Sequence, residues 1–237
     1  EAAMSKVFAS EALQRGAYEA LQIAAGNGFM RDAPYEQITR DCRILTIFEG
    51  TNEVLRLYIA LSGLKHLGKS FGELKAAVDD IFNNFIKGFG VLTDYAEKRL
   101  TQATGVGRDK ILTPLPPPLR EAATVYERYT LEFAKASEFL LRKHGKAIAD
   151  RQHDLKRVAD MGIDLFVGLC TLSRAAVLSK ASGEDGVQAV QIARVFAQQA
   201  KRRIAYNVRR ITRNEDESMD ALAGFIVDKQ SYPWDVM

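Results

Sequence analysis

Apolar residues recur at spacings of three and four through nearly all of the 237-residue chain, the period that gathers side chains on one face of an α-helix. After position 119 the stripes are nearly continuous. Val125, Tyr129, Phe133, Ala136 and Leu140 form the first, and Leu155, Val158, Gly162, Leu165, Leu169, Leu172 and Ala176 the second. Val187, Val190, Ala193, Phe196 and Ala200 supply a third, and Leu222, Phe225 and Ile226 a short fourth. This spacing predicts a bundle of about four helices. Upstream, residues 2–25 read as one amphipathic helix that Gly26-Asn27-Gly28 ends, because glycine and asparagine accept positive φ. Pro34 suits the first turn of a second helix over 34–46, where its missing N–H costs nothing. A third helix runs from about Thr51 to Leu67, with Gly68 just past its end. Strand alternation is absent, and Ile44-Leu45-Thr46-Ile47-Phe48 reads as a helix end and a buried turn. The predicted fold class is all-α.

Proline placement divides these elements. The six prolines are Pro34, Pro114, Pro116, Pro117, Pro118 and Pro233, leaving two long proline-free stretches in which helices can run uninterrupted. The cluster Pro114-Leu115-Pro116-Pro117-Pro118 follows the loop-like Thr104-Gly105-Val106-Gly107-Arg108-Asp109 and reads as a semi-rigid linker. The expected organisation is a helical unit over 1–70, a helix and proline-rich linker over 71–118, and a second helical bundle over 119–237. Because Glu1-Ala2-Ala3-Met4 runs straight into a helical pattern, the chain reads as a piece of something longer.

Composition narrows the function classes. A hydrophobic content of 47% is enough for a core without disulfide or metal staples. Cys42 and Cys170 lie far apart without metal-ligand spacing, so no metal site is expected. Thirty-three basic against 30 acidic residues leave a net charge of +3, too little to indicate nucleic acid. The strongest basic cluster, Lys201, Arg202, Arg203, Arg209, Arg210 and Arg213, lacks aromatic interleaving and reads first as a solvated helix face paired with Glu215, Asp216 and Glu217. An anionic lipid surface is the alternative occupant. No apolar run approaches the roughly 18 to 20 residues that span a bilayer. His66, His144 and His153 share no ligand spacing and read as surface or packing residues.

Glu49 is the most unusual local feature, a carboxylate set directly after Ile47-Phe48 and before Gly50-Thr51-Asn52. Apolar neighbours disfavour its charged form and make it a stronger base. The alternative is that it precedes a helix whose N-terminal dipole welcomes negative charge. Gly26-Asn27-Gly28 fails the G-x-G-x-x-G dinucleotide pattern because Arg31 stands at its last position and no strand precedes it. Residue by residue, it is a helix-ending turn with free N–H groups.

Taken in order, Gln22-Ile23-Ala24-Ala25-Gly26-Asn27-Gly28-Phe29, Arg40-Asp41 and Ile47-Phe48-Glu49-Gly50-Thr51-Asn52-Glu53-Val54-Leu55-Arg56 resemble the C-terminal motif of the acyl-CoA dehydrogenases. Residues 1–68 carry the resemblance closely. The remainder is similar to the additional helical domain of the very-long-chain branch. The resemblance implies a C-terminal helical-bundle domain followed by a second one, and a flavoprotein using FAD that oxidises fatty acyl-CoA to the trans-2-enoyl-CoA. It makes Glu49 the base for the α-proton, with Phe48 and Gly50 beside the substrate. It assigns Gln22, Ile23, Ala24, Ala25 and Gly26 to the adenine and pyrophosphate of a neighbouring subunit's flavin, and Thr51 and Glu53 to positions flanking FAD. Ala25 departs from the family's usual second glycine, and Glu53 stands where medium-chain members carry an amide. The implied partners are the acyl-CoA substrate, an electron-transfer flavoprotein or similar acceptor, and a second copy in a homodimer. The implied location is cytoplasmic in a bacterium or mitochondrial in a eukaryote. Phe82, Phe85, Ile86 and Phe89 beside Lys75 and Lys87 form an amphipathic segment compatible with peripheral membrane contact. A helical interaction or membrane-docking module without catalysis of its own is the alternative reading.

Overall fold

The computed structural model describes residues 1–65, 112, 115–180 and 183–230. The proposed end of the third helix at Leu67 and Gly68, His66, the loop 104–109 and the amphipathic segment around Phe82–Phe89 lie outside these residues. Every regular element among the described residues is helical. α1 spans Ala2–Phe29, α2 Tyr35–Ile44, and α3 the residues 52–65. A 3-10 turn at Pro117–Leu119 leads into α4, Arg120–His144, and a second at Gly145–Asp150 into α5, Gln152–Leu178. α6, Glu184–Thr212, and α7, Asp216–Lys229, complete the order.

α5 is the centre of the molecule, packing against α1, α4 and α6. Its buried face is Leu155, Val158, Ala159, Met161, Leu165, Gly168, Leu172 and Ala175. The predicted stripe agrees except near its end, where Leu169 is exposed and Gly168 is buried instead. A methyl at Gly168 would meet the Tyr126 ring of α4 at 2.2 Å. The glycine admits that ring, and because it carries no hydropathic signal the periodicity misses it. α5 is also the one described helix long and apolar enough to cross a bilayer, correcting the expectation that no such stretch exists. Asp154, Arg157 and Asp164 are buried along it and ion-paired, and it lies among other helices, so here it serves as a core helix.

Val7 of α1 and Ile59, Ala60 and Leu64 of α3 join Tyr126, Leu140, Leu155, Met161, Ala197 and Ile204 in one buried cluster. Phe8 and Phe196 add an edge-to-face pair between α1 and α6, with centroids 5.8 Å apart. α6 turns Ala193, Ala197, Ala200, Ile204 and Ile211 inward, whereas Val187, expected in its stripe, is exposed. α7 departs further from the sequence reading. Leu222, Phe225 and Ile226 are exposed, and the one buried residue of this helix is Asp216, which takes two hydrogen bonds from Arg157, at 2.6 and 2.5 Å. The helix is moored by an ion pair at its start rather than by its apolar stripe.

The basic run of α6 behaves mostly as a solvated face. Arg210 pairs with Glu215 at 2.5 Å and Arg203 with Asp164 at 2.7 Å, but Asp216 belongs to Arg157. His153 meets Asp220 at 3.1 Å, and His144 lies 3.6 Å from Asp154.

Candidate functional site

The segment between α2 and α3 reverses the chain in seven residues. Ile47 and Phe48 each donate a backbone N–H to the Ile44 carbonyl, at 2.9 and 3.0 Å, and Thr46 donates its hydroxyl to the Arg43 carbonyl at 3.0 Å. Asn52 N–H closes the reversal on the Thr46 carbonyl at 3.0 Å. To complete it, Glu49 and Gly50 both adopt positive φ, 53° and 91°. Gly50 fits that conformation without cost, whereas a side chain on Glu49 makes it strained. Strain of this kind persists only where surrounding structure over-determines it.

The surroundings do so from the inner side of the turn. Lys6, one turn into α1, donates to the Gly50 carbonyl at 2.9 Å and to Asn52 Oδ1 at 2.8 Å. Asn52 is 1% exposed and donates through Nδ2 to Ser10 Oγ at 3.0 Å and Glu11 Oε1 at 3.2 Å. Thr51 starts α3, its hydroxyl accepting the Val54 N–H at 3.3 Å. One turn along, Arg56 forms a two-pronged bond to Glu11, at 2.7 and 2.9 Å, and a third to Asp160 of α5 at 2.6 Å. Burial works against the Arg56 charge, but the bonds to Glu11 and Asp160 outweigh it and hold the guanidinium more firmly protonated than usual.

On the outer side, Glu49 is exposed, as are Ile47, Phe48 and Gly50. The expected buried turn is therefore open: the residue buried within it is Thr46, and the apolar side chains face outward. This chain alone does not supply the desolvation that Ile47-Phe48 led us to expect. Glu53 is exposed too, and its own backbone N–H, together with the Thr51 hydroxyl, holds its carboxyl below the usual range. That hydroxyl and Glu53 thus satisfy each other locally.

The second predicted set lies at the other end of α1. Helical geometry breaks at Ala25, with φ 51° and ψ −135°, and the chain folds back through Gly28, where a methyl would strike the Leu21 carbonyl at 2.7 Å. In place of the expected stop at Gly26-Asn27-Gly28, the helix kinks at Ala25 and then continues to Phe29. Gln22, Ile23, Ala25 and Gly26 are exposed and Ala24 is half-buried; Ile23 is 85% exposed. The space where a Gly26 side chain would stand is open. From Lys6 to Gln22 the helix rises by roughly 24 Å at 1.5 Å per residue, so the structure does not bring Gln22–Gly26 to the Glu49 turn.

Lys6, Ser10, Glu11 and Asp160 escape the sequence reading. They lie more than 40 positions from their partners among Gly50, Asn52 and Arg56, and on α1 or α5 they resemble any polar helix face. Asn52 and Arg56 stand in the motif, though their role as buttress does not show in it. Among the described residues no group of histidine, cysteine and carboxylate side chains is arranged to hold a metal.

Two family models match this chain: "Acyl-CoA dehydrogenase, C-terminal domain" over residues 1–64 and "ACAD9/ACADV, C-terminal domain" over residues 117–232. Human mitochondrial very long-chain specific acyl-CoA dehydrogenase is 40% identical over 177 residues, 74% of this chain and 26% of that protein. The chain belongs to the acyl-CoA dehydrogenase family. "Probable acyl-CoA dehydrogenase FadE10" of Mycobacterium tuberculosis is 28% identical over 99% of the chain and 37% of its own length. A crystal structure of an acyl-CoA dehydrogenase complexed with FAD from Bacillus anthracis superposes with a TM-score of 0.69 at 25% identity, covering 99% of this chain and 36% of that one. The chain thus spans between a quarter and two fifths of these acyl-CoA dehydrogenases. Glu49 and its buttress up to Arg56 fall in the first matched segment, and Asp160 in the second.

Proposed function

We propose that this chain is the C-terminal part of an FAD-dependent acyl-CoA dehydrogenase acting on long-chain fatty acyl-CoA in β-oxidation, with Glu49 as the base that removes the α-proton. The observation that carries this reading is the Glu49–Gly50 turn: two successive positive-φ residues present an exposed carboxylate, while Lys6 and Asn52 hold the turn from the inner side. The α-proton of a thioester is only weakly acidic, so it needs a base within hydrogen-bond reach and sheltered from water. Ile47 and Phe48 supply one apolar wall beside Glu49, and the substrate with the remainder of the enzyme supplies the others. Gly50, lacking a side chain, leaves room for the thioester, whose carbonyl is polarised by the Glu49 N–H.

The residues at the α1 break fit a dinucleotide. They are exposed, unencumbered by side chains at Gly26, and turned away from helical hydrogen bonding at Ala25. A flavin held there would supply the acceptor for the β-hydrogen as hydride; Glu49 takes the α-hydrogen as a proton, and the carbon–carbon double bond would result. Because Gln22–Gly26 and the Glu49 turn are separated along α1, one subunit's Gln22–Gly26 serves the flavin beside the other subunit's Glu49, which supports a homodimer. An electron-transfer flavoprotein or similar acceptor reoxidises the enzyme, in the cytoplasm of a bacterium or the mitochondrion of a eukaryote. The exposed apolar side of α7, with Met219, Leu222 and Val227, favours peripheral contact with a membrane over the basic run of α6 as the docking element.

The test is flavin reduction by a long-chain acyl-CoA in the full-length enzyme carrying Glu49→Gln. The rate should fall by about 10²- to 10⁴-fold. Undiminished reduction would remove Glu49 from its role.

A further inference from the structure

We propose that Asp160, on α5 in the C-terminal matched segment, is a positioning residue for Glu49, acting through a continuous chain of polar contacts that ends on the Glu49–Gly50 turn. The proposal rests on the reading of Glu49 as the base. It assigns to the C-terminal helices a part in the chemistry of a site to which they contribute no reacting group.

The links are short and each is long-range in sequence. Asp160 Oδ1 accepts from Arg56 Nε at 2.6 Å, and the two terminal nitrogens of Arg56 donate to the two oxygens of Glu11 at 2.7 and 2.9 Å. Glu11 Oε1 also accepts from Asn52 Nδ2 at 3.2 Å, Asn52 Oδ1 accepts from Lys6 at 2.8 Å, and Lys6 completes the path on the Gly50 carbonyl at 2.9 Å. Three members of the path are sheltered, the Arg56 and Asp160 side chains at 12% and 19% exposure and Asn52 at 1%, whereas Glu11 and the final bond from Lys6 to Gly50 lie nearer solvent. Water therefore competes poorly for Arg56, Asp160 and Asn52.

Asp160 matters because a guanidinium is a rigid planar fork. With its Nε edge fixed by Asp160, the opposite edge is aimed at Glu11, and Glu11 in turn is held where Asn52 can reach it. Removing Asp160 frees the plane to rotate, Glu11 follows its partner, and Asn52 and Lys6 lose the alignment that keeps Gly50 at its positive φ. Since the Glu49 backbone is itself in a disfavoured conformation, it lacks an intrinsic preference that would preserve the turn once the support slackens. Lys156 binds the other Asp160 oxygen at 2.6 Å from the solvent side and anchors the carboxylate in place.

The experiment uses the full-length holoenzyme with Asp160→Ala, Asp160→Asn, Glu49→Gln and, as a control elsewhere in the C-terminal helices, Arg194→Gln at its exposed pair with Glu121. Flavin reduction by a long-chain acyl-CoA is followed by stopped flow, with α-deuterated substrate and thermal unfolding in parallel. Asp160→Ala should slow reduction about tenfold, as a small misplacement of a base does, with a larger α-deuterium isotope effect and KM within about twofold. Asp160→Asn keeps an acceptor for Nε and should restore most of the rate; Arg194→Gln should leave it unchanged. Wild-type rate and isotope effect in Asp160→Ala overturn the proposal, as does an equal loss in Arg194→Gln. Should Asp160→Ala fail to fold, Glu11→Ala removes both acceptors in the middle of the path at a half-exposed residue, and an unaltered rate there overturns it equally. Normal reduction in Glu49→Gln, or none in the wild type, sinks the parent reading; an inactive Glu49→Gln beside a normal Asp160→Ala sinks this proposal alone.

Discussion

Ala25 holds φ 51° and ψ −135° at the point where α1 ends its regular course. A methyl group resists that region, at a cost on the order of 1–3 kcal/mol, and glycine does not. Ala25→Gly should therefore stabilise the protein by about 1 kcal/mol after allowance for the greater freedom glycine gives the unfolded chain, a rise in melting temperature of roughly 2–4 °C. Calorimetry of the two variants decides it, and a lower melting temperature would mean that the backbone is not strained there. The motif made Ala25 conspicuous in the sequence, as an alanine where a second glycine is usual; the conformation that makes it costly is visible only in the structure. Glu49 is the reverse case. Its place in the motif was legible at once, while its support by Lys6 and Asn52 was not, because contacts between positions 44 to 46 apart leave no trace in local periodicity.

At the level of elements, period-3.6 patterning located every described helix, with ends displaced by a few residues: α2 begins at Tyr35 with Pro34 as its cap, and α3 begins after Thr51 as expected. Patterning failed on α7, whose apolar positions are real but unburied, since hydropathy records what a face offers and not whether anything covers it. Asp216 fixes the start of α7. Its hydrogen bonds from Arg157 hold the carboxyl below its usual range, against a smaller opposing effect of burial. A carboxyl lowered on folding contributes stability that is fully present above about pH 3.9, its unfolded value, and is lost as pH falls through the folded value. His144, held below its usual range chiefly by burial, adds a loss of the same sign that begins nearer neutrality. Asp164 runs the other way: burial raises it despite Arg203, so its contribution is greatest in acid and lost as pH rises through its folded value. Accordingly, acid should release α7 before the core melts, seen as accelerated amide exchange along Asp216–Lys229. Asp216→Asn should show that fast exchange already at neutral pH; unchanged protection in Asp216→Asn would refute the mooring.

For the molecule as a whole, the decisive fact is that Val7, Ile59, Ala60 and Leu64 share one core with α4, α5 and α6. Sequence composition marked a proline-rich divide before position 119; it carried no information on whether the two sides touch. With a common core, α1 and α3 should unfold together with α4, α5 and α6. Leu64→Ala, at 4% exposure, should cost about 2–5 kcal/mol, and far-UV circular dichroism and calorimetry should both show one transition moved down in temperature. Two separable transitions, with only the first affected, would contradict the shared core. The same rigidity gives α1 the character of a lever. One end is clamped behind the Glu49 turn and the other presents Gln22–Gly26, so a tilt of about 5° about the clamped end sweeps Gln22 through roughly 2 Å, well beyond the approximately 0.5 Å tolerance of a preorganised site. Substitutions that merely loosen the packing of Val7 would then read out as altered geometry at a surface they never touch.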